Sequence, residues 1–348
     1  MEFTCPVDTL RPHCFALLVA AGVPEQEAEI AAGILLDTSL EGIDTHGVSR
    51  LPVYLSCLEK GRINPRPQIK IVKEGAVAKV DGDNGLGQLV AARSMSVAMD
   101  LAKEFGVGFV VTRRSNHFGA ASYYCKMAAG RGMLGIVLTN APPAMPPWGG
   151  KSAYFGTNPI AFGIPNGGFP VVVDLSSSHV ARGNIILAAK EGRPIPLGWA
   201  IDKDGQPTTD PQAALEGGAV LPVGGAKGYA LALAIEVMTG ILSGSAYGDG
   251  VGFIYDEKTD PADVSHSFIA LDISRIMPEN AFLSRMEEMI RGVKAVPVAA
   301  GAAGIRVPGE KRYETYQIRV KKGIPMGPSL LHELRQTAAR LGVKPLNC

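Results

Sequence analysis

The first 60 residues carry apolar positions at helical spacing. Residues 7–40 contain two such runs separated by Gly22-Val23-Pro24, and the second run opens with acidic residues in its first turn. The run LPVYLSCLEKG follows Arg50 and is expected to end at Gly61, because a glycine with prolines beyond it stops a helix. The pattern therefore predicts a helical N-terminal segment.

From residue 69 onward, short apolar runs alternate with helices. IKIVKEG and AVAKVDG predict a hairpin, residues 89–105 predict an amphipathic helix, and VGFVVT predicts the next strand. SNHFGAASYYCKMAAGRG is predicted to be a loop followed by a helix, and MLGIVLTN a further strand. Residues 141–168 are rich in Pro and Gly, which is typical of a loop around one short strand. This alternation predicts α/β architecture.

The remaining pattern continues the same alternation. VVVDL predicts a buried strand and SSSHVARGNIILAAKEG the helix after it, whereas PVGGAKGYALALAIEVMTGIL predicts a glycine-rich turn into a deeply buried helix. GFIYD and SFIALDI are expected to be late strands, and LLHELRQTAARLG a terminal amphipathic helix. Because no clean linker interrupts the chain, any second domain would be built from discontinuous pieces.

Composition narrows the class of protein. Of 348 residues, 46% are hydrophobic and 19% charged, which is typical of a compact chain with a substantial core. The 34 Lys and Arg residues nearly balance the 33 Asp and Glu residues, so no global field favours nucleic acid or a membrane surface. Neither a signal peptide nor a membrane span is expected. The five cysteines are scattered and odd in number, which favours free thiols in a reducing cytoplasm.

The segment DTHGVSR at residues 44–50 carries the first candidate chemistry. If a helix restarts near Thr45, then His46, Arg50 and Tyr54 follow at steps of four and share one face. An imidazole can shuttle a proton near neutral pH, and a guanidinium can hold a carboxylate through two hydrogen bonds. Such a site suits oxidation or reduction of a small organic acid. The alternative is a surface histidine and arginine at a helix start.

A second histidine, His117, follows the strand VGFVVT in the loop SNHFG. Ligands favour loops at the carboxyl ends of strands in α/β sheets, so His117 is a further candidate for proton transfer; the alternative is a structural loop residue. His13, His266 and His332 are expected to be structural. No HExxH pattern or His/Asp cluster indicates a metal site.

No GxGxxG lies between a strand and a helix, so an ordinary Rossmann fingerprint is rejected. Lys227 and Gly228 precede a predicted helix, where backbone amides and an ammonium group would suit a phosphate. Asp174, Leu175 and Ser176 follow a strand and are expected to open another helix. The alternatives are a tight packing turn for the first segment and helix capping for the second.

Taken together, these motifs resemble the malate/L-lactate dehydrogenase family of the non-Rossmann type, which also contains ureidoglycolate, sulfolactate and diketogulonate oxidoreductases and cyclic ketimine reductases. The resemblance runs nearly end to end. The matching segments are DTHGVSRLPVY at 44–54, NGLGQ at 84–88, SNHFGAASYY at 115–124, PPWGG at 146–150, FGTNPIAFGIP at 155–165, VVDLSSS at 172–178, ARG at 181–183, GWAIDKDGQPTTDP at 198–211, GGAKGYALA at 224–232 and VPGE at 307–310.

The resemblance implies an NAD- or NADP-dependent oxidoreductase with a mixed-sheet α/β fold and helical terminal segments, assembled as a homodimer with its site near the interface. It places Thr45, His46 and Arg50 on a hydroxyl-His-Arg substrate motif and Thr157 at a substrate contact. We expect His46, oriented by Thr45, to carry the proton, with His117 as the second candidate. The positions matching cofactor contacts are His117, Phe118, Gly119, Ala120, Ala121, Asp174, Leu175, Ser176, Lys227, Gly228, Pro308, Gly309 and Glu310.

The same resemblance suggests a discontinuous domain organisation. Residues 1–75 would form a helical segment packing with residues 283–348. Residues 76–120 and 230–282 would form the central sheet and dimerisation region, and residues 121–229 the NAD(P)-binding region.

Two departures from the family pattern bear on the substrate. Thr45 stands where Ser is common, and its methyl group narrows the pocket. Asn184 follows ARG where hydroxy-acid members often have Lys and ketimine reductases have Asp, so the imine reading is weakened. We expect a small carboxylic acid of the malate or L-lactate type as substrate. The alternatives are ureidoglycolate or sulfolactate oxidation, NADPH-dependent reduction of pyrroline- or piperideine-2-carboxylate, and non-catalytic binding of a nucleotide or metabolite.

Overall fold

The computed structural model describes residues 3–255 and 260–348. Helices form where the sequence has long amphipathic or apolar runs bounded by Gly or Pro. They are α1 Val7–Ala20, α2 Glu25–Leu40, α3 Leu51–Glu59, α4 Gly87–Phe105, α5 Ala121–Ala129, α6 Arg182–Lys190, α7 Pro211–Leu215, α8 Ala226–Glu236, α9 Glu279–Ala295, α10 Glu310–Lys322 and α11 Pro328–Arg340.

Strands occupy the short apolar runs between these helices. They are β1 Phe3–Cys5, β2 Lys70–Glu74, β3 Val77–Asp81, β4 Val107–Ser115, β5 Met133–Thr139, β6 Ile160–Ile164, β7 Val171–Leu175, β8 Ala200–Ile201, β9 Pro207–Thr208, β10 Ala219–Val220, β11 Val264–Asp272 and β12 Ile324–Met326. The α/β prediction is confirmed, including the hairpin β2–β3 and the helix boundaries around Gly22-Val23-Pro24.

A seven-stranded mixed sheet with the order β2-β3-β4-β11-β5-β6-β7 is the centre of the molecule. Its β3–β4 pair is parallel and the other neighbours are antiparallel. The late strand β11 lies between β4 and β5, which brings the ends of three strands together. Helices α4 and α5 pack on the sheet around the buried residues Val110, Tyr124 and Phe268. The sheet is therefore mixed and lacks the doubly wound parallel topology.

A second core joins the two ends of the chain. Helices α1, α2 and α3 pack with β12 and α11 around the fully buried side chains of Leu17, Leu51 and Leu334. Strand β1 pairs with β12 in a small antiparallel sheet. The N-terminal helices thus contact the C-terminal segment, while the division into three regions stays a prediction.

Three sequence predictions for local structure were wrong. Helix α8 and the turn after it, expected to be deeply buried, leave Leu233 41%, Val237 47% and Ile241 49% exposed, because an all-round apolar pattern does not show how much of a helix the rest of the fold covers. Residues 252–255 of GFIYD form no strand, and Asp256 lies outside the described residues. The serine run after β7 opens no helix, since α6 begins only at Arg182.

The expectation of free cysteines was also wrong in part. Cys5 and Cys348 form a disulfide, whereas Cys14, Cys57 and Cys125 are free and buried. Spacing along the chain gave no sign of this pair, because its members are 343 residues apart and meet only through the β1–β12 pairing. A disulfide is uncommon in a reducing cytoplasm, and the location of the protein stays a prediction. None of the described helices combines the length and hydropathy that a membrane crossing requires.

Removal of this crosslink is expected to destabilise the protein. Cys348→Ser should lower the free energy of unfolding by about 2–4 kcal/mol, because the disulfide restricts the unfolded chain over nearly its whole length. Denaturant unfolding of wild type and variant, each with and without reductant, measures the loss. The wild type should respond to reductant and the variant should not. Equal stability of oxidised and reduced wild type would contradict this expectation.

Candidate active site

The segment at residues 44–50 folds as two short 3-10 turns, Asp44–His46 and Val48–Arg50, with Gly47 between them. The predicted continuous helix through His46, Arg50 and Tyr54 is therefore wrong. Gly47 lies so close to α2 that a Cβ there would meet Ser39 Oγ at 2.1 Å. Ser39 Oγ also accepts a hydrogen bond of 2.9 Å from the Val48 N–H. Close packing of this turn against α2, rather than helical spacing, directs His46 and Arg50.

A cavity of about 160 Å³ collects the predicted site residues His46, Arg50, His117 and Thr157. Its walls come from the 44–50 turns, the loop after β4, the loops on either side of Asn158 and residues 252–255. The described residues that line it include no aspartate or glutamate. The Arg50 guanidinium among these lining residues favours an anion in the cavity.

His46 lies in this cavity with its Nδ1 atom 2.8 Å from the Thr45 hydroxyl oxygen. The ring centroids of His46 and His117 are 5.5 Å apart. Burial lowers the pKa of His46 to about 4, and the positive charge of Arg50 acts in the same direction, whereas Asp174 opposes both. His46 is therefore neutral at neutral pH and able to accept a proton.

His117 is held by a different set of contacts. The Tyr54 hydroxyl lies 2.6 Å from His117 Nδ1, and the Gly119 N–H donates to the same atom at 3.4 Å. Because a backbone N–H can only donate, Nδ1 accepts and the neutral ring carries its proton on Nε2. Burial, followed by the charges of His46 and Arg50, lowers the pKa of His117 well below its ordinary range. Tyr54 is buried against His117 and does not itself line the cavity.

Arg50 reaches the cavity from the second 3-10 turn. Its Nε–H donates to the Thr45 carbonyl oxygen, and its guanidinium lies 5.4 Å from the centre of the Tyr255 ring. Burial lowers the pKa of Arg50, with the Tyr54 hydroxyl opposing. Within residues 3–255 and 260–348, Arg50 forms no ion pair, so its Nη groups remain for an anion.

The loop NGLGQ supports the His117 segment in a way that sequence reasoning missed. The Asn116 side chain donates to the carbonyl oxygens of Asn84 and Gly85 at 3.1 and 2.8 Å. A Cβ on Gly87 would lie 2.2 Å from the Asn116 carbonyl oxygen. In the sequence NGLGQ is one of the segments that resemble the family, whereas in the structure Gly87 allows two loops to pack in contact. The repeated Asn and Gly residues were the available signal.

The predicted cofactor segments lie next to one another beside the end of β7. Asp174 accepts a hydrogen bond of 3.3 Å from the Ser122 N–H at the start of α5, and it forms an ion pair of 3.1 Å with Arg312. A Cβ at Gly228 would lie only 2.7 Å from the Ser177 carbonyl oxygen, so this position has no room for a side chain. These contacts join residues 117–121, 174–176 and 227–228 into one surface.

The fourth cofactor segment, Pro308 to Glu310, joins the same surface. The Pro308 carbonyl oxygen accepts from the Val172 N–H in β7 at 3.2 Å, and Gly309 has φ +96. Hydrogen bonding from Lys294 lowers the pKa of Glu310, with which it forms an ion pair of 2.5 Å. Glu310 also accepts from the Val307 N–H at 3.0 Å. Within residues 3–255 and 260–348, no group of three His, Cys, Asp or Glu residues is placed to hold a metal ion.

His266 on β11 lies under the site and is fully buried. Its Nδ1 is 2.8 Å from the Thr139 hydroxyl and its Nε2 is 2.8 Å from the Ser115 hydroxyl. Its ring stacks on Phe118 at 4.5 Å between centroids. Burial lowers the pKa of His266 to about 3. The structural role expected from the sequence fits these contacts, which fix Phe118 in the loop after β4.

The buried histidines are expected to make the free energy of unfolding fall as the pH is lowered. Burial lowers the pKa values of His13, His46, His117 and His266 in the folded protein, whereas the unfolded chain binds these protons near pH 6.5. The unfolded state therefore binds more protons below about pH 6.5. As the pH is lowered from about 6.5 to the pKa of the folded state, the free energy of unfolding should fall by up to about 1.4 kcal/mol per pH unit for each such histidine.

Denaturant unfolding at pH 7, 6 and 5 measures this slope. His266→Gln should reduce the slope by about one histidine's share, since that residue no longer titrates. Ser329→Ala, at an exposed position of α11 that carries no titratable group, serves as the control with an unchanged slope. Identical slopes for wild type and His266→Gln would contradict the assignment of a buried, neutral His266.

Comparison with known proteins identifies the family. The family model described as malate/L-lactate dehydrogenase matches residues 5–335, and the chain belongs to this family. The malate dehydrogenase of Pyrococcus horikoshii is 38% identical over 98% of this chain and 96% of its own length. Its crystal structure superposes with a TM-score of 0.91, covering 99% of this chain and 97% of that one at 36% identity.

Two further relatives carry different names. The L-sulfolactate dehydrogenase of Methanocaldococcus jannaschii is 42% identical over 92% of both chains; its structure has a TM-score of 0.92, with 98% of each chain covered at 39% identity. The pyrroline-2-carboxylate/piperideine-2-carboxylate reductase of Pseudomonas syringae is 32% identical over 95% of this chain and 94% of its own length. The family resemblance and the mixed-sheet fold expected from the sequence are both confirmed.

Proposed function

We propose that this protein is an NAD(P)-dependent dehydrogenase that interconverts a small 2-hydroxy acid and its 2-oxo acid. The observation that carries this proposal is the arrangement of His46 and Arg50 around one cavity, whose lining among residues 3–255 and 260–348 includes no carboxylate. A guanidinium binds the acid group, and an imidazole beside it accepts or donates the proton of the substrate oxygen. The family relationship supports the same activity.

Different residues of this chain bind the substrate and transfer the proton. Arg50 holds the substrate carboxylate, and Thr157, which lines the same cavity, limits its orientation. His46 accepts the hydroxyl proton during oxidation and returns it during reduction, with the Thr45 hydroxyl fixing its ring through Nδ1. His117, bonded to Tyr54, is the second candidate for this proton. When bound, the nicotinamide supplies or accepts the hydride.

The surface beside β7 is suited to hold the dinucleotide. Residues His117–Ala121, Asp174–Ser176, Lys227–Gly228 and Pro308–Glu310 are contiguous there. The start of α8 offers free backbone amides beside the Lys227 ammonium, which favours a phosphate. Of the arginines considered for a 2′-phosphate, Arg193 is paired with Glu191, whereas Arg182 lies 5.6 Å from the Phe253 ring. The choice between NAD and NADP is left to the assay below.

A homodimer accounts for the exposed apolar face of α8 and the turn that follows it. Leu233, Val237, Ile241 and Leu242 are all exposed in the single chain. A contiguous apolar surface of this kind marks an interaction site. A second copy of this chain is the proposed occupant, and sedimentation equilibrium tests it. A monomer at micromolar concentration would reject the dimer.

An absorbance assay tests the activity. Purified protein is mixed with NADH or NADPH and, in turn, with pyruvate, oxaloacetate, sulfopyruvate, oxidised ureidoglycolate, diketogulonate and the two cyclic imino acids. Consumption of reduced cofactor with a 2-oxo acid supports the dehydrogenase and identifies both substrate and cofactor. Absence of turnover with every compound, in protein that binds the cofactor, would reject the proposal.

Reduction of a cyclic imino acid is the second candidate function. The identity to the Pseudomonas syringae reductase over nearly the whole chain favours it. The exposed Asn184 at the start of α6 counts against it, because an amide side chain does not transfer protons as a carboxylate does. Turnover with the imines alone would establish this function in place of the first.

A further inference from the structure

Glu236, the last residue of α8, has a buried carboxylate that lies among the loops of the cavity. Only 3% of the residue is exposed. Its Oε1 accepts hydrogen bonds from the Gly248 N–H at 3.0 Å and from the Asn140 side-chain amide at 3.4 Å. Its Oε2 accepts from the Asn158 side-chain amide at 2.5 Å. One carboxylate thus receives donors from three separate segments.

Each of these segments forms part of the cavity wall. Asn140 lines the cavity directly. Asn158 stands between Thr157 and Pro159, both of which line it. Gly248 begins a 3-10 turn that leads to residues 252–255, the wall that contains Tyr255. Glu236 itself does not line the cavity, so its influence passes through the residues that it holds.

The two asparagines have little freedom to replace the carboxylate. Asn158 is fully buried with φ +27, and its side chain also accepts from the Ala141 N–H and donates to the Ala232 carbonyl oxygen. The Asn140 side chain accepts from the Ser265 N–H at 2.9 Å. Both amides therefore present Nδ2 to Glu236 in a fixed orientation.

The helix is shaped to bring Glu236 and Asn140 together. Immediately after Glu236, α8 continues as a π-helical turn, Val237–Ile241. Gly240 lies in this turn, and a Cβ there would meet the Ala246 carbonyl oxygen at 2.8 Å and Asn140 Nδ2 at 3.2 Å. Such π-helical turns within α-helices occur often at functional sites. The local geometry thus places the Asn140 amide against the helix, next to the carboxylate.

We propose that Glu236 is a positioning residue. It sets the substrate affinity of the cavity by holding Asn140, Asn158 and the 248–255 segment in fixed positions relative to one another. This inference rests on the proposed function, because Thr157 and Tyr255 act on the substrate only if an acid binds there. Loss of the carboxylate releases Thr157 and the Tyr255 wall, whereas His46 lies on another segment and Arg50, although it loses a contact with Tyr255, keeps its hydrogen bond to the Thr45 carbonyl oxygen. The expected consequence is weaker substrate binding with the proton-transfer group intact.

Glu236→Gln tests the role of the carboxylate most directly, because glutamine has nearly the same size and shape as glutamate. The glutamine amide has one acceptor oxygen, and its NH₂ group opposes one of the donors that the carboxylate accepts. Two N–H donors that face each other in a buried site leave at least one of them without an acceptor, which lowers the stability of this arrangement. The KM for the oxo acid should rise about tenfold to a hundredfold, with kcat changed much less. The Kd for NADH, measured by fluorescence, should stay within about twofold, since α8 begins at Ala226 without disturbance.

The matched control is Thr239→Val in the same π-helical turn. The buried Thr239 hydroxyl donates to the backbone carbonyl oxygens of Ile235 at 2.7 Å and Glu236 at 3.4 Å, both within the helix, and so does not hold the Glu236 carboxylate. This variant should lose stability without a change in KM. Hydrogen exchange should rise in residues 140–158 and 246–255 of Glu236→Gln and not in those of Thr239→Val, a readout independent of turnover.

The outcomes separate the two proposals. If the wild type reduces no acid, the proposed function fails, while hydrogen exchange still tests whether Glu236 holds the two segments. A rise in KM together with local exchange supports the positioning role. Unchanged KM in Glu236→Gln, or equal losses of substrate and NADH affinity, or unchanged exchange in both segments, would overturn it.

Discussion

Substitution of Arg50 by methionine is expected to raise the KM for the oxo acid about a hundredfold or more. Arg50 supplies the guanidinium of a cavity to which the described residues contribute no lining carboxylate, so none of those residues competes for its positive charge there. Methionine keeps much of the apolar volume and removes both hydrogen bonds to the substrate carboxylate. Steady-state kinetics with a fixed, saturating cofactor concentration measures the change, and fluorescence titration should show unchanged NADH affinity.

Arg50→Lys separates charge from geometry. Lysine retains a positive charge but loses the planar fork and the contact with the Tyr255 ring, so an intermediate KM is expected. Because Arg50 Nε–H also donates to the Thr45 carbonyl oxygen, thermal unfolding of both variants must accompany the kinetics. Near-normal KM in Arg50→Met would show that the carboxylate binds elsewhere.

Local structure was predictable because its signals are local. Gly22-Val23-Pro24 separates two helices whatever the rest of the chain does, and alternating residues before and after Gly75 form the β2–β3 hairpin. The position of β11 was not predictable in the same way. It pairs with β4 and β5, segments more than a hundred residues earlier, and short apolar strands carry no mark of their partners. Order in the sheet is set by packing of the whole chain.

The candidate site shows the same division between residue type and geometry. His46 and Arg50 were selected for helical spacing, yet they meet in one cavity because Gly47 packs tightly against Ser39. The predicted helix was wrong, yet the structure brings both side chains to one cavity, and their roles in proton transfer and carboxylate binding stay predictions. Glu236 gave no signal, because a single acidic residue in an apolar helix looks like an exposed position. Its role depends on Asn158, which lies 78 residues away.

The disulfide and the exposed face of α8 mark another limit of sequence patterns. Cys5 and Cys348 become neighbours only when β1 pairs with β12. The apolar run around Val237 indicates that the helix is to be covered, but hydropathy does not distinguish cover by this chain from cover by a second copy. The disulfide depends on contacts between distant parts of the sequence, which hydropathy along the chain does not encode.

Replacement of His46 by glutamine is expected to lower kcat about a hundredfold to ten-thousandfold, the usual contribution of a positioned acid or base. Glutamine retains hydrogen-bonding capacity beside the Thr45 hydroxyl but cannot carry the transferred proton. His117→Gln is the matched comparison, because its ring lies only 5.5 Å away and is bonded to Tyr54. The larger loss of kcat identifies the group that transfers the proton.

The pH dependence gives an independent assignment of the same proton. Because burial lowers the pKa of His46 to about 4, oxidation, which needs the neutral ring, should show a flat kcat/KM from about pH 6 to 8. Reduction needs the protonated ring, so its kcat/KM should fall about tenfold per pH unit over the same range, as the protonated fraction falls. This slope should vanish in His46→Gln and persist in His117→Gln. If the slope instead persists in His46→Gln and vanishes in His117→Gln, the proton belongs to His117, and His46 serves the carboxylate-binding wall beside Arg50.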